Sequence, residues 1–135
     1  MRAGAFCSMT QALRILVADD YADGRDMLAF VLERQGYIVA TAEDGPTALA
    51  LATEFQPDVA ILDIGMPGVS GYEVAEELRR RRGATLTLVA LSGMGEAAHK
   101  ARAAEAGFDR HFTKPVDIEL LSAFLAEQDN GRNER

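Results

Sequence analysis

Five residues in this chain place a reactive side chain at the end of a short strand-like run: Asp19 and Asp20 after ILVA, Asp63 after VAIL, Ser92 after LVAL and Lys114 after HFT. Each has an ordinary explanation when taken singly, because an Asp after a strand often caps the next helix and a loop Ser or Lys is usually solvated. Brought together they form a site. Carboxylates held close to one another repel, which destabilises a fold unless a cation or protons compensate. With oxygen donors only and no His or Cys beside them in sequence, the ion expected is Mg2+, which keeps waters and shares its sphere with a phosphate. Lys114 would add a mobile point charge and Ser92 a hydroxyl donor for phosphoryl oxygens, while a carboxylate provides a nucleophile. The chemistry implied is phosphoryl transfer onto Asp63.

These positions meet only if the run ends share one rim. Short apolar runs alternate five times with longer amphipathic stretches, without an internal sequence repeat, which is the α/β signature. Strands are expected at 14–19, 37–42, 58–63, 85–91 and 110–113, most of them nearly all apolar, as suits strands covered on both faces by helices. A first helix carries Met27, Leu28, Val31 and Leu32 at helical spacing and ends at Gly36. A second starts after Asp44-Gly45 with Pro46 in its first turn, turns Leu49, Ala52 and Phe55 inward and stops at Pro57. A third opens with a capping box, Ser70 to Glu73, and closes at Gly83. A fourth spans 96–106 and stops at Gly107, and a fifth runs from Asp117 with Leu120, Leu121, Phe124 and Leu125 on one stripe. Such units with right-handed crossovers give a doubly wound parallel sheet whose ligands sit outside the carboxyl ends of the strands.

Composition narrows the function classes. The chain has 135 residues, 14 Lys+Arg against 21 Asp+Glu, a net charge of -7, 48% hydrophobic residues and one cysteine. That length suits one domain, able to bury roughly two thirds of its unfolded surface without a disulfide or structural metal. The layout expected is a frayed segment at 1–12, a folded domain at 13–127 and a polar, fraying tail at 128–135. Cys7 has no second cysteine to pair with, which excludes an internal disulfide or a thiolate zinc site. The apolar runs fall far short of the roughly 20 residues a bilayer span needs, so no membrane insertion is expected. Residues 1–9 contain no apolar stretch of signal-peptide length, and a cytoplasmic location is expected. The acidic balance argues against nucleic acid as a direct partner. The arginines at 79–82 read as a solvated helix end that complements the dipole, with Glu76 and Glu77 four residues before Arg80 and Arg81. His99 reads as a surface residue, Met27 as core filling and Met66 as shaping the turn before Pro67.

The pieces ILVADD, VAILDIGMPGVSGYEV, LVALSG and HFTKPVD, in that order and spacing, resemble the receiver domain of two-component response regulators over residues 14–125. The fold expected is then flavodoxin-like (βα)5 with strand order 2-1-3-4-5. The resemblance implies that Asp63 is the phosphoacceptor, that Asp20 binds Mg2+ directly and Asp19 largely through water, and that the Gly65 carbonyl completes the protein ligands. It also implies that Ser92 and Lys114 contact the phosphoryl oxygens and that a cis peptide bond joins Lys114 and Pro115. The partners implied are a sensor histidine kinase or a histidine phosphotransfer domain. The function expected is a phosphorylation-dependent signalling module, not an enzyme beyond its own phosphorylation and dephosphorylation, with the face of its fourth helix, fifth strand and fifth helix switched through Ser92 and His111.

Two features depart from the family pattern. His111 stands three residues before the lysine, where Tyr or Phe is common, and its rotamer is expected to depend on pH because the ring can carry charge. The loop after the acidic pair continues as Tyr21-Ala22-Asp23. The resemblance also implies that Gly65 and Met94 occupy the two positions that reach an attacking water, and neither side chain orders one, so a long-lived phosphoryl group suited to relay from a hybrid kinase is expected. The competing enzyme reading is a phosphatase with an aspartyl-phosphate intermediate, which would want a second Asp where this chain has Gly65. A flavin carrier would want a phosphate loop where this chain has Asp19-Asp20.

Overall fold

The computed structural model describes residues 12–93 and 98–133. In chain order they form β1 (Arg14–Ala18), α1 (Ala22–Arg34), β2 (Ile38–Ala42), α2 (Gly45–Phe55), β3 (Val59–Asp63) and α3 (Gly71–Arg82). A 3-10 turn at Gly83–Thr85 leads into β4 (Thr87–Ser92), α4 (Ala98–Ala106), β5 (Arg110–Thr113) and α5 (Ile118–Asn133). The five strands pair in parallel in the order β2-β1-β3-β4-β5. Strand order reverses between β1 and β3, and a crevice at their carboxyl ends follows from that reversal.

Alternation along each strand builds two cores. Ile15, Val17, Ile61, Val89 and Leu91 face Leu28 and Leu32 of α1 and Leu121, Phe124 and Leu125 of α5. Leu16, Ala18, Ala60, Leu62 and Leu88 face Ala48 and Ala52 of α2 and Val74, Ala75 and Leu78 of α3. Burying each leucine on this scale contributes roughly 1.5–3 kcal/mol, which fixes strand register because a one-residue slip would turn every such side chain to the wrong face.

The helix ends follow their local chemistry. Gly36 takes φ +99° after α1, and its N–H reaches Glu33 O while the Tyr37 N–H reaches Leu32 O. Asp44 caps α2 by accepting from the Thr47 N–H at 2.8 Å, and Ser70 and Glu73 close a reciprocal capping box on α3. The start of α3 also lies hard against the end of β3. A Cβ on Gly71 would stand 2.6 Å from the Asp63 carbonyl oxygen, so only glycine permits this approach.

Several expectations are corrected. Met27 is 62% exposed and Leu120 58% exposed, because the inward arcs of α1 and α5 are centred on Leu28 and Leu32 and on Leu121, Phe124 and Leu125. β4 starts at Thr87, since the preceding residues wind into the 3-10 turn. The tail expected to fray from 128 is instead helical to Asn133, and Thr87 Oγ1 donates to Gln128 Oε1 at 3.2 Å. The arginine run divides. Arg80 and Arg81 both pair with Glu77, whereas Glu76 pairs with Arg102. Arg79 reaches the carbonyls of Gly83, Leu86 and Gly107 and the Asp109 carboxylate, and Arg82 donates to Pro57 O. These two arginines staple the far rim of the sheet. The first eleven residues, Met94, Glu96 and the side chain of His99 lie outside the described residues.

Candidate functional site

Asp63 is the last residue of β3, and Asp19 and Asp20 follow β1, its neighbour in the sheet. Parallel register therefore brings the acidic pair beside Asp63. Ligand oxygens from Asp19, Asp20 and Asp63 lie within 4.8 Å of one another, with Asp19 and Asp63 buried and Asp20 exposed. Each buried carboxylate is held by a local turn. Asp19 Oδ1 accepts from the Tyr21 N–H at 3.0 Å, and Asp63 Oδ1 accepts from the Gly65 N–H at 2.9 Å. Their other oxygens meet one cation, since Lys114 Nζ stands 3.0 Å from Asp19 Oδ2 and 3.2 Å from Asp63 Oδ2.

Lys114 reaches this position because the chain turns back after β5. Its N–H donates to Ser92 O at 2.6 Å, and a cis peptide bond joins it to Pro115, as expected. Burial pushes the Asp63 carboxyl up to about 6, with the Gly65 amide opposing that rise and the neighbouring Asp19 adding to it. Burial also works against the Lys114 charge, but Asp19 and Asp63 outweigh it and hold the ammonium above the ordinary lysine value. An oxygen-only donor set this tight fits a hard divalent ion, whose charge would relieve the repulsion that Lys114 only partly cancels.

Ser92, at the end of β4, is 1% exposed. Its hydroxyl is engaged with His111 on β5, Oγ to Nε2 at 2.6 Å. These two residues, expected to act together as a switch, are in direct contact. Gly65 is exposed beside Asp63, while Met94 lies outside the described residues.

Two contributors were not singled out from sequence. Arg25, in the first turns of α1, donates to the Asp19 backbone carbonyl at 3.1 Å and so ties the start of the acidic loop to that helix. Its only sequence signal is a basic residue six positions after Asp19, which is weak. Gly71 sets how closely α3 approaches the Asp63 backbone, and the signal was the glycine inside the capping box.

Residues 15–126 match the family described as response regulator receiver domain. RpaA of Synechocystis, a DNA-binding dual master transcriptional regulator, is 38% identical over 82% of this chain and 46% of its own length. The sensor histidine kinase RcsC of Salmonella typhimurium is 35% identical over 84% of this chain and 12% of its own. This chain therefore spans less than half of either relative. A response regulator receiver domain from Clostridium thermocellum superposes with a TM-score of 0.82 at 29% identity, covering 89% of this chain and 96% of that one. With the sheet order, the acidic cluster and the bridging lysine in place, these matches show that the chain belongs to the response regulator receiver domain family, the phosphorylation-dependent signalling module of two-component systems.

Proposed function

We propose that Asp63 accepts a phosphoryl group from a phosphohistidine on a sensor histidine kinase or a histidine phosphotransfer domain. The observation that carries this reading is the convergence of Asp19, Asp20, Asp63 and Lys114 at one rim. In the transfer, an Asp63 carboxylate oxygen forms the new bond to phosphorus as the donor's P–N bond breaks, and the donor imidazole keeps the electron pair and takes up a proton. Mg2+ is the cofactor of this reading, held by the carboxylates of Asp19, Asp20 and Asp63 and the Gly65 carbonyl; it would neutralise charge on the carboxylates and the phosphoryl oxygens. Lys114 would follow the charge from the Asp63 carboxylate onto the phosphoryl group. Ser92 would donate its hydroxyl to a phosphoryl oxygen, drawing on the bond it makes with His111, and so pass the change to the α4-β5-α5 face.

Gly65 stands where an aspartyl-phosphate phosphatase wants a second acid, so the reading is of a module that assists only its own phosphorylation and dephosphorylation. No described helix is long and apolar enough to cross a membrane. A cytoplasmic setting belongs to the same reading, with a folded domain that starts near residue 13 and runs to the end of α5. Incubation with acetyl phosphate and Mg2+, followed by intact-mass measurement, tests it. The parent should gain one phosphoryl mass and Asp63→Asn none; an acid-labile gain on the variant would refute the assignment.

A further inference from the structure

We infer that His111 regulates the site by competing for the Ser92 hydroxyl proton, so that this phosphoryl-binding donor is released when the imidazole becomes protonated. The inference rests on the reading of Ser92 as a phosphoryl contact and adds a control over it. His111 pairs with Ala90 across β4 and β5, and Ala90 packs on Ala103 of α4. Ser92 lies two residues further along β4 and shares that face. The ring thus reaches along the strand to the hydroxyl, and the 2.6 Å separation of Oγ and Nε2 leaves no room for an intervening group.

The consequence lies in donor counting. A serine hydroxyl has one hydrogen and two acceptor lone pairs. When the neutral ring carries its proton on Nδ1, Nε2 is an acceptor, and it takes the only hydrogen that Ser92 has. The hydroxyl then presents lone pairs to the acceptor site, the wrong polarity for an anionic phosphoryl oxygen. When the ring is protonated, both nitrogens are donors, so Nε2–H must donate to Ser92 Oγ and the hydroxyl hydrogen turns free. Imidazole is the side chain whose charge ordinarily changes between about pH 5 and 8. A Phe or Tyr ring at this position would offer no such nitrogen.

Several charged groups among the described residues near His111 also make contacts of their own. Asp109 accepts from Arg79 and from the Leu88 N–H, and Lys114 binds Asp19 and Asp63. Arg110 lies over Phe112 and Phe124, on the α5 side of the sheet. On α4, Arg102 stacks on Tyr72 and pairs with Glu76, and Glu105 is exposed. The Ser92 contact is a polar bond that ties the ring to the phosphoryl site.

The test measures phosphorylation of the whole chain by acetyl phosphate in Mg2+ between about pH 5.5 and 8.5, for the parent, His111→Phe, Ser92→Ala and the double variant. His111→Phe should react faster than the parent by roughly fivefold at the alkaline end, the worth of one neutral hydrogen bond, and the ratio should fall toward one at the acid end. In the Ser92→Ala background the same substitution should change nothing. A ratio that is flat with pH, or one that persists without Ser92, overturns the inference. Nitrogen-15 spectra of the His111 ring give a readout that needs no phosphorylation: the neutral ring of the parent should show a bare Nε2, and a proton on Nε2 would refute the competition directly. An Asp63→Asn control separates the two readings. If it is still phosphorylated, the acceptor assignment fails, while the ring nitrogen still reports on the Ser92–His111 pair.

Discussion

Asp63 must be anionic to act as a nucleophile, yet the fold buries it, and burial holds its carboxyl up to about 6. The unfolded chain releases that proton at the ordinary, lower carboxyl value. Between the two values the folded chain binds more protons than the unfolded one, so this group's contribution to stability falls as pH rises through about 6. Asp63→Asn removes that slope. In metal-free buffer the variant should melt above the parent at about pH 8, and the gap should close below about pH 5; a gap that widens on acidification would contradict the burial argument. Asp20 behaves differently because it is exposed and does not touch Lys114. Asp20→Ala should leave melting in chelator unchanged or raised, by less than about 1 kcal/mol, and should abolish most of the rise that millimolar Mg2+ gives the parent. A full Mg2+ response in that variant would place the ion elsewhere.

At the scale of elements, the site depends on where β3 ends and α3 begins. Gly71→Ala would set a methyl group 2.6 Å from the Asp63 carbonyl and 2.7 Å from Ile64 Cα, both backbone atoms that cannot swing aside. We expect a loss of roughly 1–3 kcal/mol with slowed phosphorylation, measured by chemical denaturation and by the mass-gain assay. Unchanged stability would mean that the approach is looser than it looks. Much at this scale was legible in the sequence. The positions of β1 and β3 were legible because burial on both faces leaves their middles apolar, and Asp19, Asp20 and Asp63 stood out in sequence because they follow directly on such runs. Helix faces were less legible, since Met27 and Leu120 are apolar residues lying just outside the inward arcs. Arg79 was misread for a different reason. Its partners at Gly107 and Asp109 lie 28 and 30 residues away and are set by how α4 and β5 return to the sheet, which local charge pattern does not encode. Ser92 and His111 were named together as switch residues, but their 2.6 Å contact follows from β4–β5 register, which the sequence does not display.

Across the whole molecule, the crevice at the β1–β3 reversal gathers residues from four of the five strand ends, and the -7 charge makes each cation there count. How long a phosphoryl group persists decides what such a module can signal. We propose that Gly65 and Met94 flank the attacking water; neither residue type supplies a side-chain hydrogen-bonding group to orient it, and slow hydrolysis suited to a relay follows from that proposal. A Gly65→Asn, Met94→Glu double variant should therefore lose its phosphoryl group several-fold faster in Mg2+ buffer, and equal decay would remove the support for relay. Locating the modification itself tests Asp63 as the acceptor most directly. After phosphorylation in Mg2+, borohydride reduction converts an aspartyl phosphate to homoserine, and peptide mass spectrometry then finds the altered residue. Homoserine is expected at position 63 and at no other carboxylate; homoserine at position 19 or 20, with Asp63 intact, would contradict Asp63 as the acceptor.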